Sequence, residues 1–170
     1  MRNKRAVPLS DLLLRPATPA DLALLRRWDA EPHLGEALGG DDWQWETELH
    51  RDPVGRERLI AELDGRPFAF VEILDPARDD ERYWGDVPPG VRAIDIWIGE
   101  PDLLGRGLGT RVMRRAIDRC FADPAVTAIL LDPLAANTRA HRFYERLGFR
   151  FVETRTFGDD ECFVYRLDRE

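Results

Sequence analysis

Apolar residues along the chain switch between two spacings, and each switch marks an element. "LLLRPA" at 12–17 opens on a short apolar run that predicts a strand. "TPADLALLRRWD" follows with Leu22, Leu25 and Trp28 at helical spacing, Thr18 as N-cap, Pro19 in the first turn and Asp21 at the positive end of the dipole. The span from Glu31 to Asp52 has a weaker period, and "DDWQWETELH" within it suits a second helix between glycine-rich and proline-containing breaks. "RERLIAEL" and "RPFAFVEIL" flank Asp64-Gly65, a strong hairpin signal. The acidic, proline-rich "DPARDDERYWGDVPPG" predicts a long surface loop, a common place for function. "VRAIDIWIG" reads as a buried strand with one acid inside it, Asp95. Leu108, Val112, Met113, Ala116, Ile117, Cys120 and Phe121 then follow helical spacing. "VTAILLD" is a strand, "NTRAHRFYERLG" a helix capped by Asn137 and stopped by Gly148, and "FRFVETRTF" and "ECFVYRL" a closing strand pair. The order β-α-(α)-β-β-β-α-β-α-β-β predicts an α/β fold with a mixed sheet of about seven strands.

Composition narrows the class. At 170 residues, a single domain over 1–170 is expected. Hydrophobic residues at 44% and charged residues at 34% are the balance of an ordinary soluble protein. A net charge of −7 argues against non-specific nucleic-acid binding. Cys120 and Cys162 stand in no metal or redox spacing, and His33, His50 and His141 form no ligand set, so no metal is expected. His50 and His141 read as surface residues. The N-terminus is basic, but its longest apolar run, Leu12–Leu14, is too short for a signal-peptide core or a membrane span. A cytoplasmic protein is the expectation. Trp43 and Trp45 suit a core or pocket wall better than a stacking platform for nucleic acid.

The candidate chemistry gathers in "LLGRGLGTRVMRR" at 103–115, where Gly105, Gly107 and Gly109 sit between a strand and a helix start. Glycine permits tight turning and close approach, and helix N-terminal amides are unpaired donors, which together make a pyrophosphate site. A plain glycine-rich turn ahead of a solvated basic helix explains the same letters. The P-loop pattern is absent, and the loop lies too late in the chain for the usual Rossmann fingerprint, although Asp132 does end the next strand.

"LLGRGLGTRVMRRAI" followed by "NTRAHRFYERLGFRFVE" resembles the GCN5-related N-acetyltransferase superfamily. The superfamily's first motif is Gln/Arg-x-x-Gly-x-Gly/Ala, matched at Leu104, Gly107 and Gly109, with Leu104 replacing the usual polar residue. Its second is matched by Asn137, Tyr144, Gly148 and Phe149. The resemblance implies a mostly antiparallel sheet flanked by about four helices, with acetyl-CoA at the splay between central strands. It implies coenzyme contacts from Ile98, Gly105, Arg106, Gly107, Leu108, Gly109, Thr110 and Asn137. Within the superfamily, "LLLRPATPADLALLRRW", "LIAELDGRPFAF", "PPGVRAID" and "LLDPLAANTRAHRFYERLGF" are similar to the aminoglycoside 6'-N-acetyltransferases, a family linked to antibiotic resistance. A looser likeness extends to siderophore-pathway lysine acyltransferases, in which a histidine holds the strand position of Asp95.

The reaction so implied moves an acetyl group from a thioester to an amine, so a proton must leave the amine and an acid near the departing thiolate helps. By resemblance Asp95 is the general base and Tyr144 the acid. The competing readings are a strand-edge acid paired with Arg92 and a half-buried core tyrosine. Asp80, Asp132 and Asp159 match substrate-facing positions and with Asp95 would form an acidic pocket for a cationic acceptor. Turn chemistry also explains Asp132 and Asp159. The family's paired loop tryptophans become Arg82 and Tyr83 here, which puts a cation at the expected mouth. Acetyl-CoA and a cationic amine are thus the expected partners, with no nucleic acid, no membrane, and a monomer or homodimer. A siderophore-precursor lysine or a polyamine is the alternative acceptor. A non-catalytic acyl-CoA sensor would need neither Asp95 nor Tyr144.

Overall fold

The alternating stretches at the start of the chain become β1 (Leu12–Pro16), β2 (Arg56–Leu63) and β3 (Arg66–Leu74), neighbouring antiparallel strands. They belong to a computed structural model that describes residues 11–38 and 42–170. The basic segment at 1–10 and the glycine-rich break at 39–41 lie outside the described residues. Asp64 and Gly65 join β2 to β3 at φ 51° and 83°, the two-residue turn whose twist matches its strands. β4 (Val91–Ile98), β5 (Ala128–Leu131), β6 (Arg150–Phe157) and β7 (Asp160–Asp168) complete a seven-stranded sheet in the order β1-β2-β3-β4-β5-β7-β6. Among the described strands only the β4–β5 pair is parallel.

Strand alternation divides the central sheet into two faces. Leu59, Ala61, Ala69, Val71, Ile73, Ile94, Ile96 and Ile98 belong to the cluster that packs against α4 (Leu108–Phe121) and α5 (Thr138–Arg146). On the other face Ile60, Phe70 and Trp97 lie in one row across β2, β3 and β4. That row is covered by α1 (Leu22–Asp29), α2 (Pro32–Leu38) and α3 (Trp45–Glu48), through Leu25, Trp28, Leu34 and Trp45. A third cluster, around Trp84 and Phe157, seats the β3–β4 loop on the same face.

The helix count is five among the described residues, against about four expected, and the differences lie between Glu31 and Asp52. α2 has one buried anchor, Leu34, too little for a readable period. The expected helix in "DDWQWETELH" shrinks to the single turn of α3. Tertiary packing decides that segment: Trp45 is fully buried, stacked on Trp43 and edge-on to Phe70. At α1 the cap works through Asp21, whose carboxylate accepts from the Thr18 backbone N–H at 2.8 Å and from Arg15 at 2.8 and 2.9 Å. His141 corrects its sequence reading. It is buried on α5, its Nε2 lies 2.9 Å from the Leu134 carbonyl oxygen, and its ring stacks on Phe163. It stands one turn before Tyr144 on the inward face of the helix. His50 is exposed as expected.

Candidate active site

The sheet opens in its middle. β4 and β5 pair only from Val91 to Ala93 against Ala128 to Leu130. β5 ends at Leu131 while β4 continues to Ile98, still paired with β3. Gly99 N–H donates to the Phe68 carbonyl at 2.8 Å. Antiparallel alternation therefore turns the backbone groups of Ile94, Ile96 and Ile98 away from β3, into the opening. The Ile98 carbonyl there accepts from His33 Nε2 at 2.8 Å.

One side of the opening is the start of α4. Gly107 caps it at φ 74° and Gly105 precedes it at φ 70°, conformations that favour glycine. A Cβ at either position would meet no atom within 4 Å, so the loop borders open space. Gly109 lies in the first turn, where a Cβ would come within 3.6 Å of Ile98 and of Phe143 on α5. The N-terminal amides of this 14-residue helix, including those of Leu108, Gly109 and Thr110, have no intrahelical acceptor. Arg106 is exposed beside them. Asn137 caps α5, its side-chain oxygen accepting from Ala140 N–H at 3.2 Å. A backbone edge, a glycine turn and a dipole end thus fit an extended phosphate-bearing group such as a coenzyme A.

Tyr144 is buried on α5. Burial first, then the negative charges of Asp95 and Asp132, hold its phenol above the ordinary range, so all three lie within electrostatic reach. Asp95 points to the sheet face opposite α4, because its strand neighbours Ala93 and Trp97 belong to the clusters there. It lines a cavity of about 350 Å³ together with Trp43, Glu48, Arg58, Glu72 and Tyr83. Arg92 lies three residues before Asp95, hence on the other face, and pairs with Asp75 at 3.3 Å and Asp123 at 3.6 Å.

The remaining expected acids are placed unequally. Asp132, just past β5, accepts the Tyr83 hydroxyl at 2.5 Å. Tyr83 is stacked flat on Phe157 and lines the cavity, so it joins Asp132 to the Asp95 side. Burial, then the charge of Asp132 and the bond to it, raise the Tyr83 phenol as well. Asp80 is exposed and bonded to Arg51 at 2.6 Å, outside the cavity lining. Arg51 also reaches the lining residues Glu48 and Glu81, at 3.6 and 3.4 Å. Asp159 is exposed in the β6–β7 turn, two residues past Phe157. Arg82 is turned onto Asp86 rather than into the cavity. Sequence reading missed Tyr83 as a partner of Asp132. It also missed the charged row of Arg58, Glu72 and Asp95 across β2, β3 and β4. An acid inside the apolar run "RPFAFVEIL" was the available signal for Glu72.

Among the described residues no group of histidine, cysteine and carboxylate side chains is arranged to hold a metal ion. Nor is any described helix long and apolar enough to cross a membrane.

A family model for the acetyltransferase (GNAT) domain matches residues 17–157. The aminoglycoside N(6')-acetyltransferase type 1 of Klebsiella pneumoniae is 33% identical over 155 residues, covering 86% of this chain and 77% of that protein. A lysine N-acyltransferase of Mycolicibacterium paratuberculosis is 28% identical over 163 residues, covering 91% of this chain and 72% of that protein. Among solved structures, the aminoglycoside acetyltransferase AAC(6')-Ib in complex with coenzyme A and kanamycin superposes with a TM-score of 0.83 at 30% identity, covering 94% of this chain and 95% of that one.

Proposed function

The chain belongs to the GNAT acetyltransferase family and is an acetyl-CoA-dependent, aminoglycoside 6'-N-acetyltransferase-like enzyme; from that premise we propose that its acceptor is an amine of a polycationic aminosugar, held on the Asp95 face of the sheet. The observation that carries this reading is the charge of the cavity beside the β4–β5 opening. Its lining has five carboxylates, Asp42, Glu48, Glu72, Glu81 and Asp95, against two arginines. Three of the five, Glu48, Glu72 and Glu81, are spent on those arginines, Arg56 also reaching Asp79, so the lining keeps a net negative charge. The cavity therefore favours a cation over a zwitterion such as a free amino acid. The structure solved with coenzyme A and kanamycin is consistent with that pairing of ligands.

Acetyl-CoA supplies the acyl thioester when bound. The glycine turn, the α4 amides and the Ile98 edge are suited to bind and orient it. Asp95 accepts the proton of the acceptor ammonium, directly or through one water, so that the nitrogen lone pair is exposed. Asp132 orients the acceptor by charge, itself oriented by the Tyr83 hydroxyl. Tyr144 is protonated at neutral pH as any tyrosine is, and burial raises its phenol further, so its hydroxyl is suited to donate a hydrogen bond where thiolate charge develops. The reading is tested by steady-state kinetics with matched cationic and neutral amines. The cationic acceptor should have the lower KM, and Asp132→Asn should raise that KM while leaving the KM for acetyl-CoA in place. Equal KM values for charged and neutral acceptors in the wild type would overturn it.

A further inference from the structure

On its own sheet face Asp95 has one lateral neighbour on β3, and it is another acid. Glu72 stands directly opposite Asp95 in the β3–β4 register, and Arg58 directly opposite Glu72 in the β2–β3 register. Directly opposed residues have Cβ atoms roughly 4.5–5.5 Å apart, so the three side chains form one row. Glu72 is 3% exposed. Its carboxylate accepts from Arg58 Nε at 2.9 Å and from Arg56 at 3.5 Å. Arg58 passes on to the Glu48 carboxylate at 2.6 Å and the Glu48 carbonyl at 3.1 Å. Arg56 passes on to Asp79 at 2.7 Å. A buried ionic assembly of this kind is expensive, and well-packed apolar residues commonly replace one without loss of stability. Packing alone does not explain its position next to Asp95.

We propose that Glu72, held in place by Arg58, is a positioning residue that sets the proton affinity of Asp95. The inference rests on the reading of Asp95 as the base. A negative charge beside Asp95 disfavours its ionised form and makes it a stronger base, and the ion pairs with Arg58 and Arg56 favour the charged form of Glu72. Burial pushes the Glu72 carboxyl up against the pull of Arg58 and Arg56. Other groups face the same space. Glu48 comes from α3 and Asp42 from the segment before it, Glu81 and Tyr83 from the β3–β4 loop. Outside that lining, Tyr144 on α5 lies within electrostatic reach of Asp95 and of Asp132 at the end of β5. Of these, only Glu72 is both fixed by two arginines and in register with Asp95.

The test is the acid limb of kcat/KM against pH, measured on one good acceptor for the wild type and four variants. Glu72→Gln removes the adjacent negative charge and should move the limb down by about one pH unit, with lower plateau kcat and unchanged KM for acetyl-CoA. Adding Arg58→Gln removes the facing positive charge and should move the limb back toward the wild-type position. Glu72→Asp, which keeps the charge, should leave it within a few tenths of a unit. A merely structural role predicts the reverse order, with the double variant the most impaired. An unmoved limb in Glu72→Gln, or a double variant displaced further than the single one, overturns the proposal. The neutral double variant keeps the test available if Glu72→Gln alone folds poorly. Asp95→Asn in the same series separates the two readings. Wild-type turnover in that variant defeats the base assignment, whereas a large loss with an unmoved limb in Glu72→Gln defeats only the role of Glu72.

Discussion

The roles of Asp95 and Tyr144 separate by a single change each. Asp95→Asn keeps the shape and removes the proton acceptor, so kcat/KM should fall by roughly 10²–10⁴. Tyr144→Phe removes one hydroxyl from a buried ring. Its kcat should fall by about 10²-fold with little change in KM for acetyl-CoA, because charge at the leaving sulfur exists only as the thioester breaks. Steady-state kinetics on one acceptor measures both, and near-wild-type turnover in both would place the chemistry elsewhere. Spacing placed Asp95 on a strand and Tyr144 on a helix, and the roles proposed for them came from the family resemblance. Asp132 was legible as a position but not as a contact. Its partner Tyr83 lies 49 residues away, on a loop whose path is set by Phe157 and Trp84 rather than by local pattern. Glu72 carried the same signal as Asp95, an acid in an apolar strand. What sequence lacked was the register that puts the two side by side.

Elements carry the coenzyme side. Gly107 sits at the cap of α4 in a left-handed conformation, bordering open space. Gly107→Asp strains that turn and adds a carboxylate where phosphates should lie. Acetyl-CoA affinity measured by calorimetry should fall at least about tenfold, since like charges at close range cost on the order of 1–4 kcal/mol. Gly99, just past β4, answers to packing instead. A Cβ there would stand 2.0 Å from Trp28 Cδ2, and Trp28 is fully buried with its indole N–H bonded to Glu100 at 3.0 Å. Gly99→Ala should cost about 1–3 kcal/mol by overpacking, seen as a Tm lowered by roughly 3–10 °C. Strands and long helices were readable because period and caps agree over many residues, as in α4. α2 and α3 were not, because they are short and fixed by the aromatic group of Trp28, Trp45, Phe70 and Trp97, whose members come from distant segments.

Over the whole molecule, the carboxylates give stability a pH dependence of definite sign. Against burial, which raises them, hydrogen bonds from Arg15 and Arg56 hold Asp21 and Asp79 below the usual carboxylate range. The bond from Arg27 lowers Glu100 likewise. A lowered native pKa means stability present above the ordinary value, near 4, and lost as pH falls through the native one. Glu72 has the opposite sign: raised by burial, it favours the native state below its ordinary value and loses that contribution as pH rises through its native one. Asp29, raised by burial, shares its sign, but the lowered carboxylates are the larger set, so Tm should drop as pH is taken from about 5 to 3, and Asp21→Asn should flatten part of that slope. At this scale the order of strands and helices was legible from spacing, and the opening between β4 and β5 followed from the family resemblance. The distribution of charge around the opening was not, since a net charge of −7 does not say which carboxylates are spent on arginines. That distribution underlies the central claim, an acetyl transfer to a cationic aminosugar. The most direct test is thiol release from acetyl-CoA by the wild-type protein, with kanamycin-class aminoglycosides, linear polyamines and lysine derivatives offered in parallel. Release driven by the aminoglycosides, with kcat/KM well above that for the other amines and lost in Asp95→Asn, is the predicted result. Release that is faster with a lysine derivative, or absent with every aminoglycoside while acetyl-CoA still binds, would contradict it.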